Sequence, residues 1–250
     1  MTMRCIRTVL EQDIPVKILI IYNGTDTNLI RVNRFTADER GAIDYVRVLD
    51  KSVAWCWNLG LSHILGVNEE DHCLVINNDV ELRSDSYSRL LASPGPFVTL
   101  VGNSNMDQVF PERTPGAPGL PPMSGERRPH PDFSCYLIRR EAWEKVGMFD
   151  ENFEGAYCED SDYHCRLHMA GITAYCIDYP FYHVGSGTIK NVGDREAREI
   201  HERAERNREY FKEKWGFKVG SKEYYEFFKQ TRGNADTGSG RGSSGTTTGT

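Results

Sequence analysis

Three stretches hold side chains able to do chemistry. The first is Val75-Ile76-Asn77-Asn78-Asp79-Val80-Glu81. A short apolar run, Cys73-Leu74-Val75-Ile76, reads as a buried strand that stops abruptly in hard oxygen side chains. In open α/β sheets ligands bind at the carboxyl edge of the strands. Amide and carboxylate oxygens at that edge suit a hard divalent cation, and a cation suits a phosphate. Taken alone, the stretch is equally a polar turn after a strand.

The second is Gly155-Ala156-Tyr157-Cys158-Glu159-Asp160-Ser161-Asp162-Tyr163, with three carboxylates in four residues at a helix start. Acids there are favoured by the helix dipole, so any one of them is explained as a cap. Three exceed what a cap needs. Asp160 and Asp162 are two residues apart, so on a regular helix they face nearly opposite sides. One is free to act as a base, which the dipole keeps ionised, and the other to serve structure or an acceptor. The third stretch is Phe181-Tyr182-His183-Val184-Gly185-Ser186-Gly187-Thr188. A His between a strand and a Gly-Ser-Gly turn is open to whatever occupies the sheet edge. It is a structural His or, beside the Asn/Asp cluster, a third ligand. A nitrogen joining oxygens favours Mn²⁺ over Mg²⁺.

Positioning these groups requires a scaffold, and the apolar pattern supplies one. Val16 to Tyr22 is almost continuously apolar and β-branched, as a buried parallel strand is. Further strands are expected at 45–49, 73–77, 97–101, 133–138, 173–177 and 181–184. Helices are expected at 4–12, 27–33, 51–65, 84–92, 140–146, 160–170, 194–214 and 222–229. In the long charged helix, Ala197, Ile200, Ala204, Phe211 and Trp215 mark the inner face. Strand–helix alternation predicts an α/β fold with a mostly parallel central sheet and flanking helices. The alternation breaks at 111–131, which is rich in Pro and Gly and too long for an ordinary connection. It is a lid or acceptor loop, or an insertion without structure. The expected organisation is one domain over 1–215, a helical extension over 216–232, and a disordered Gly/Ser/Thr-rich tail over 233–250.

The chain has 250 residues, 39% hydrophobic and 26% charged, enough for a substantial core. A net charge of -6 argues against a general nucleic-acid binder. The 7 cysteines are odd in number and form no CxxC. Met1-Thr2-Met3-Arg4-Cys5 does not read as the start of a signal peptide, and no apolar run in residues 1–250 reaches membrane-spanning length. The expectation is a cytoplasmic protein with reduced thiols, free or peripheral to a membrane.

In order along the chain, these motifs resemble the family 2 glycosyltransferases, nucleotide-sugar-dependent enzymes of the GT-A fold. Ile20-Ile21-Tyr22-Asn23-Gly24-Thr25-Asp26 is similar to the family's second-strand turn, with Tyr22 where an Asp usually opens it. Asn58-Leu59-Gly60 resembles the Asn-x-Gly of the helix before the metal strand. Asn77-Asn78-Asp79 is similar to the DxD motif. Arg139-Arg140-Glu141 and Val146-Gly147-Met148-Phe149-Asp150-Glu151 resemble the Arg-x-x-Phe…Gly-Phe-Asp-Glu segment. Glu159-Asp160-Ser161-Asp162 with Arg166 resembles ED-x-D…R, and His183 stands where many members keep a late metal-binding His. The match covers roughly Arg4 to Trp215.

The resemblance implies roles. Asn77, Asp79 and His183 would hold Mn²⁺ or Mg²⁺ on the diphosphate of a nucleoside-diphosphate sugar. Tyr22, Asn23, Asp26, Asn58 and Asn78 would line the donor site. Asp160 would be the base for an inverting attack by an acceptor hydroxyl, with Glu159, Asp162 and Arg166 around it. The acceptor, whether glycan, protein, lipid or small molecule, stays open. In the family a strand and turn precede the helix that here begins at Arg4, so the expectation is that an upstream strand belongs to the fold. A sugar nucleotidyltransferase would need a Gly-rich basic loop near the start, and none is present. A catalytically impaired nucleotide-sugar-binding module is the alternative, favoured by the first strand not being seen before Arg4 and by Asn77 in place of an acid.

Overall fold

A computed structural model describes residues 1–24, 35–67, 70–113, 115, 127–128, 131–185 and 193–230. The expected helix at 27–33, Asp26, most of the 111–131 loop and the 233–250 tail lie outside the described residues.

Helices and strands alternate as α1 (Thr2–Leu10), β1 (Ile18–Asn23), α2 (Ala37–Gly41), β2 (Ile43–Val48), α3 (Val53–Leu61), β3 (His72–Ile76), β4 (Val80–Glu81), α4 (Ser86–Ala92), β5 (Phe97–Asn103), α5 (Met106–Val109), β6 (Arg127–Arg128), β7 (Cys135–Arg139), α6 (Arg140–Val146), α7 (Glu159–Met169), β8 (Tyr175–His183), α8 (Asp194–Trp215) and α9 (Lys222–Gln230). Local chemistry sets several starts. Ser52 caps α3 by accepting from the Trp55 N–H, and Thr36 with Glu39 makes a capping box at α2.

The main sheet has the order β3-β7-β5-β8-β4, with β6 beside β8. β1 and β2 form a separate parallel pair. The α/β layering is as expected, but the strand directions correct the mostly parallel reading. β5 and β8 run parallel, whereas β7 runs against both β3 and β5, and β4 and β6 run against β8. The cause is the connection. A helical crossover returns a chain to the same edge and makes neighbours parallel. β7 instead follows the Pro-rich stretch and enters from the opposite edge.

A second correction concerns 173–184, expected as two strands. It is one strand, β8. Its register against β5 jumps from Thr99↔Cys176 to Val101↔Pro180. Pro180 thus sits where a bulge relieves it of a ladder bond, instead of ending the strand.

Side chains alternate across the sheet with period two. From β5 and β7, Phe97, Tyr136 and Ile138 meet α3, α6 and α7 on one face, with Trp57, Phe133, Phe149 and Tyr163. Val98, Leu100, Cys135 and Leu137 fill the other face with Leu90 and Phe181. Each fully buried side chain of this kind contributes about 1.5–3 kcal/mol. β1, read as a buried strand, is only half-buried, since among the described residues it pairs with β2 alone. A third cluster, Phe153, Cys158, Cys165, Phe211 and Tyr224, packs the C-terminal helices α8 and α9 onto α7.

Candidate active site

The turn after β3 is built by backbone bonds. The Asn77 N–H donates to the Ser134 carbonyl (2.9 Å), and the Asn77 carbonyl accepts from Val80 (3.3 Å). Asn78 Nδ2 donates to Thr2 Oγ1 on α1 (3.2 Å). Val80 pairs opposite His183, and the Val184 N–H donates to the Asp79 carbonyl (3.3 Å). This short antiparallel register brings two residues far apart in sequence together, with His183 Nε2 3.4 Å from Asp79 Oδ1. The His183 pKa is raised by its bond to Asp79, which outweighs burial, and further by the charges of Asp79 and Asp132. Among the described residues no three His, Cys, Asp or Glu side chains converge as a metal cage would.

The carboxylates of α7 follow a strained loop. Gly155, Tyr157 and Cys158 all have positive φ (66°, 85° and 73°), and Cys158 is the residue from which the helix starts. Glu159 is buried, its Oε2 has no hydrogen-bond partner among the described residues, and burial together with the Asp160 charge pushes its pKa well above the carboxylate range. Asp160 is half-buried. Burial raises its pKa, opposed by the Ser161 N–H (2.6 Å) and hydroxyl (3.3 Å) that donate to Oδ1. The charge of Asp132 adds to the upward shift.

Asp132 was not singled out in the sequence. Its backbone N–H donates to Thr99 Oγ1 on β5 (3.2 Å), and its Oδ1 accepts from Ser134 (2.9 Å). Its carboxylate lies over Gly102, where a Cβ would come within 2.4 Å of Oδ2. Because β7 runs backwards, the residues before it sit at the edge where β3, β5 and β8 end. The missed signal is an acid immediately before a strand. It counts only once that strand is known to be antiparallel.

Asp162, Arg166, Asn58 and Asn23 have structural partners. Asp162 is fully buried and accepts from Arg166 Nε (2.8 Å) and Trp215 Nε1 (2.9 Å), with Lys214 Nζ 2.8 Å away. Arg166 also donates to the carbonyls of Val146 (3.3 Å) and Met148 (2.8 Å). Asn58, buried on α3, donates to the Phe149 carbonyl (2.9 Å) and Glu151 (2.7 Å) and accepts from the Phe149 N–H (2.7 Å). Asn58-Leu59-Gly60 and the 146–151 segment are therefore two halves of one contact. Asn23 exchanges two bonds with the Lys51 backbone (2.7 and 3.1 Å). The Tyr22 hydroxyl is buried and has no hydrogen-bond partner among the described residues. Asp160 and His183 thus both feel the charge of Asp132, and His183 also faces Asp79, while Asp162, Arg166 and Asn58 hold the frame.

Solved structures share this architecture. A mannosyltransferase from Pyrobaculum calidifontis, in complex with GDP-Man and Mn²⁺, has a TM-score of 0.54 and 18% identity, covering 76% of this chain and 55% of that one. GalNAc-T7 with UDP, GalNAc and Mn²⁺ has a TM-score of 0.55 and 11% identity, covering 92% of this chain and 52% of that one. TarS of S. aureus in complex with UDP has a TM-score of 0.51 and 13% identity, covering 84% and 68%. The fold is GT-A. The chain spans about half the length of the first two of these structures. No family model and no curated protein matches its sequence. Within this GT-A fold, the β3 turn, the end of β8, the Asp132 turn and the start of α7 together form the candidate site. Among the described residues no helix is long and apolar enough to cross a membrane.

Proposed function

We propose that the chain is an inverting glycosyltransferase that moves a sugar from a nucleoside-diphosphate sugar to an acceptor hydroxyl. The observation that carries this reading is a division of labour at one sheet edge. Asp79 and His183 face each other at 3.4 Å, and a separate carboxylate, Asp160, starts α7. Two of the similar structures hold Mn²⁺ with a nucleotide or nucleotide sugar, which supports the same donor class here.

The donor set fits a divalent cation bound partly by substrate. One carboxylate and one imidazole suit Mn²⁺ or Mg²⁺ completed by diphosphate oxygens. Asp79 and His183 would hold it, with the Asn77 amide beside them, and when bound it would neutralise charge on the leaving diphosphate. Asp160 takes the acceptor proton as the acceptor oxygen bonds to the anomeric carbon. The bond from that carbon to the diphosphate oxygen breaks, and the nucleoside diphosphate leaves. The upward pKa shift of Asp160 makes it a stronger base once ionised. Tyr22 and Asn78 remain donor contacts in this reading. Asn23 and Asn58 act by holding the backbone that frames the donor, and Asp162 and Arg166 by fixing α7. The odd count of 7 cysteines and the lack of a CxxC support a reducing, cytoplasmic setting in this reading.

Nucleoside diphosphate release, measured with UDP- and GDP-sugars plus Mn²⁺, tests the proposal. Release from at least one donor is expected, and donor binding without release from any of them would favour the binding module. Asp79→Ala is expected to abolish the Mn²⁺ dependence of donor binding, read by calorimetry. Equal donor affinity with and without Mn²⁺ in the parent chain would refute the metal assignment.

A further inference from the structure

One buried polar side chain outside the proposed machinery holds an unusual number of partners. Asn207, on the charged helix α8, is only 2% exposed. Its Nδ2 donates to the carbonyls of Glu154 (2.9 Å), Ala156 (3.0 Å) and Tyr157 (3.0 Å), and its Oδ1 accepts from the Glu154 N–H (2.9 Å). An amide group has two hydrogens, so three carbonyls share them. The loop it grips is the strained one, with Tyr157 and Cys158 both left-handed. Non-glycine residues hold that conformation only where surrounding bonds over-determine it. Further bonds brace the same loop: the Val53 N–H at the start of α3 donates to the Gly155 carbonyl (2.7 Å), and Arg206 reaches Glu154 (2.9 Å). Two residues beyond the last gripped carbonyl the helix begins with Glu159 and Asp160.

We infer that Asn207 is a positioning residue: by gripping the 154–157 loop from α8 it forces the left-handed start of α7 and so fixes where the Asp160 carboxylate is presented. The inference deepens the proposed function, since it takes Asp160 as the base. A capping side chain is missing at this helix start. The backbone direction therefore comes from the loop, and the loop takes its direction from Asn207. A base displaced by about 1 Å loses on the order of a hundredfold in rate.

The test uses the full chain with Asn207→Ala, the same-sized Asn207→Asp, and Leu90→Val in the opposite core as a control for general destabilisation. Hydrogen exchange read by mass spectrometry is expected to speed up about tenfold or more over 154–162 in both Asn207 variants, while β5 and β7 keep their protection. With a donor that the parent turns over, kcat is expected to fall about tenfold or more while the donor KM stays within about twofold. Leu90→Val is expected to lower Tm and leave kcat unchanged. Unchanged exchange over 154–162 would overturn the inference, as would a kcat loss equal to that of Leu90→Val. If the parent turns over no donor, the functional reading fails on its own, and the exchange measurement still decides whether Asn207 orders the loop. If Asp160→Asn is inactive while Asn207→Ala leaves the loop protected, the functional reading stands and the clamp falls.

Discussion

Asp160 and Asp162 share a helix turn and meet opposite surroundings. Asp162 is sealed from solvent, and Arg166, Trp215 and Lys214 occupy its oxygens. Lys214 also bonds Asp150 (2.5 Å), and with Tyr210 and Asn152 it draws the Asp150 pKa down to about 2 against the upward push of burial. Asp160 keeps part of its surface open, and the Ser161 N–H and hydroxyl donate to one of its oxygens. The charge of Asp132 opposes its ionisation, and its own charge in turn helps keep the neighbouring Glu159 protonated. One face of α7 thus neutralises a carboxylate completely, and the other leaves one strained by like charge. A residue built for stability is saturated with partners. A residue able to take a proton is short of them.

This contrast can be broken by substitution. The largest expected effect is on rate: Asp160→Asn should lower turnover about a hundredfold to ten-thousandfold, the usual share of general-base catalysis. Its Tm should stay level or rise, because an awkwardly buried charge is removed. Full activity in this variant would remove the base assignment. Asp162→Ala should do the reverse of this in stability, costing about 3–5 kcal/mol by leaving Lys214 and Arg166 without their buried partner. Urea unfolding measures it, and a loss as small as that of a surface acid would show that the brace is not needed. Asn58→Ala should cost about 1–3 kcal/mol by orphaning the Phe149 N–H and carbonyl. Here too urea unfolding is the check, with donor binding expected to follow the fraction folded.

The smallest effect sharpens the acidic side. Glu159 has a folded-state pKa above its unfolded value, so between the usual carboxylate range and neutral pH the folded chain binds more protons than the unfolded one. Its contribution to stability therefore falls as pH rises through that window. Glu159→Gln should flatten the decline of Tm from pH 5 toward neutral. An equally steep decline in the variant would place the titrating group elsewhere.

The elements themselves were largely legible. α6 spans Arg140–Val146 as expected, and α7, β3 and α8 fall within two residues of their expected bounds. Periodicity reports burial, and these segments bury one regular face. The misses have particular causes. Pro180 reads as a breaker but occupies a bulge. Arg203 and Arg206 stand four residues after Glu199 and Glu202 on α8, the spacing of pairs along a helix, but reach Asp50 and Glu154. Asn207 looks like one more polar residue on a charged helix, because no pattern distinguishes an amide facing solvent from one facing three carbonyls.

By itself the sequence determined the α/β architecture, the oxygen-rich end of β3, the acidic start of α7 and a His near the end of β8, since these depend on local composition and order along the chain. Tertiary structure decided the rest. Strand direction placed Asp132 at the site, because an antiparallel strand brings its beginning to the edge where its neighbours end. Cross-strand register joined Asp79 to His183. Packing against α8 separated Asp162 from Asp160. Each depends on which distant groups come within hydrogen-bonding reach, which the folded backbone alone sets.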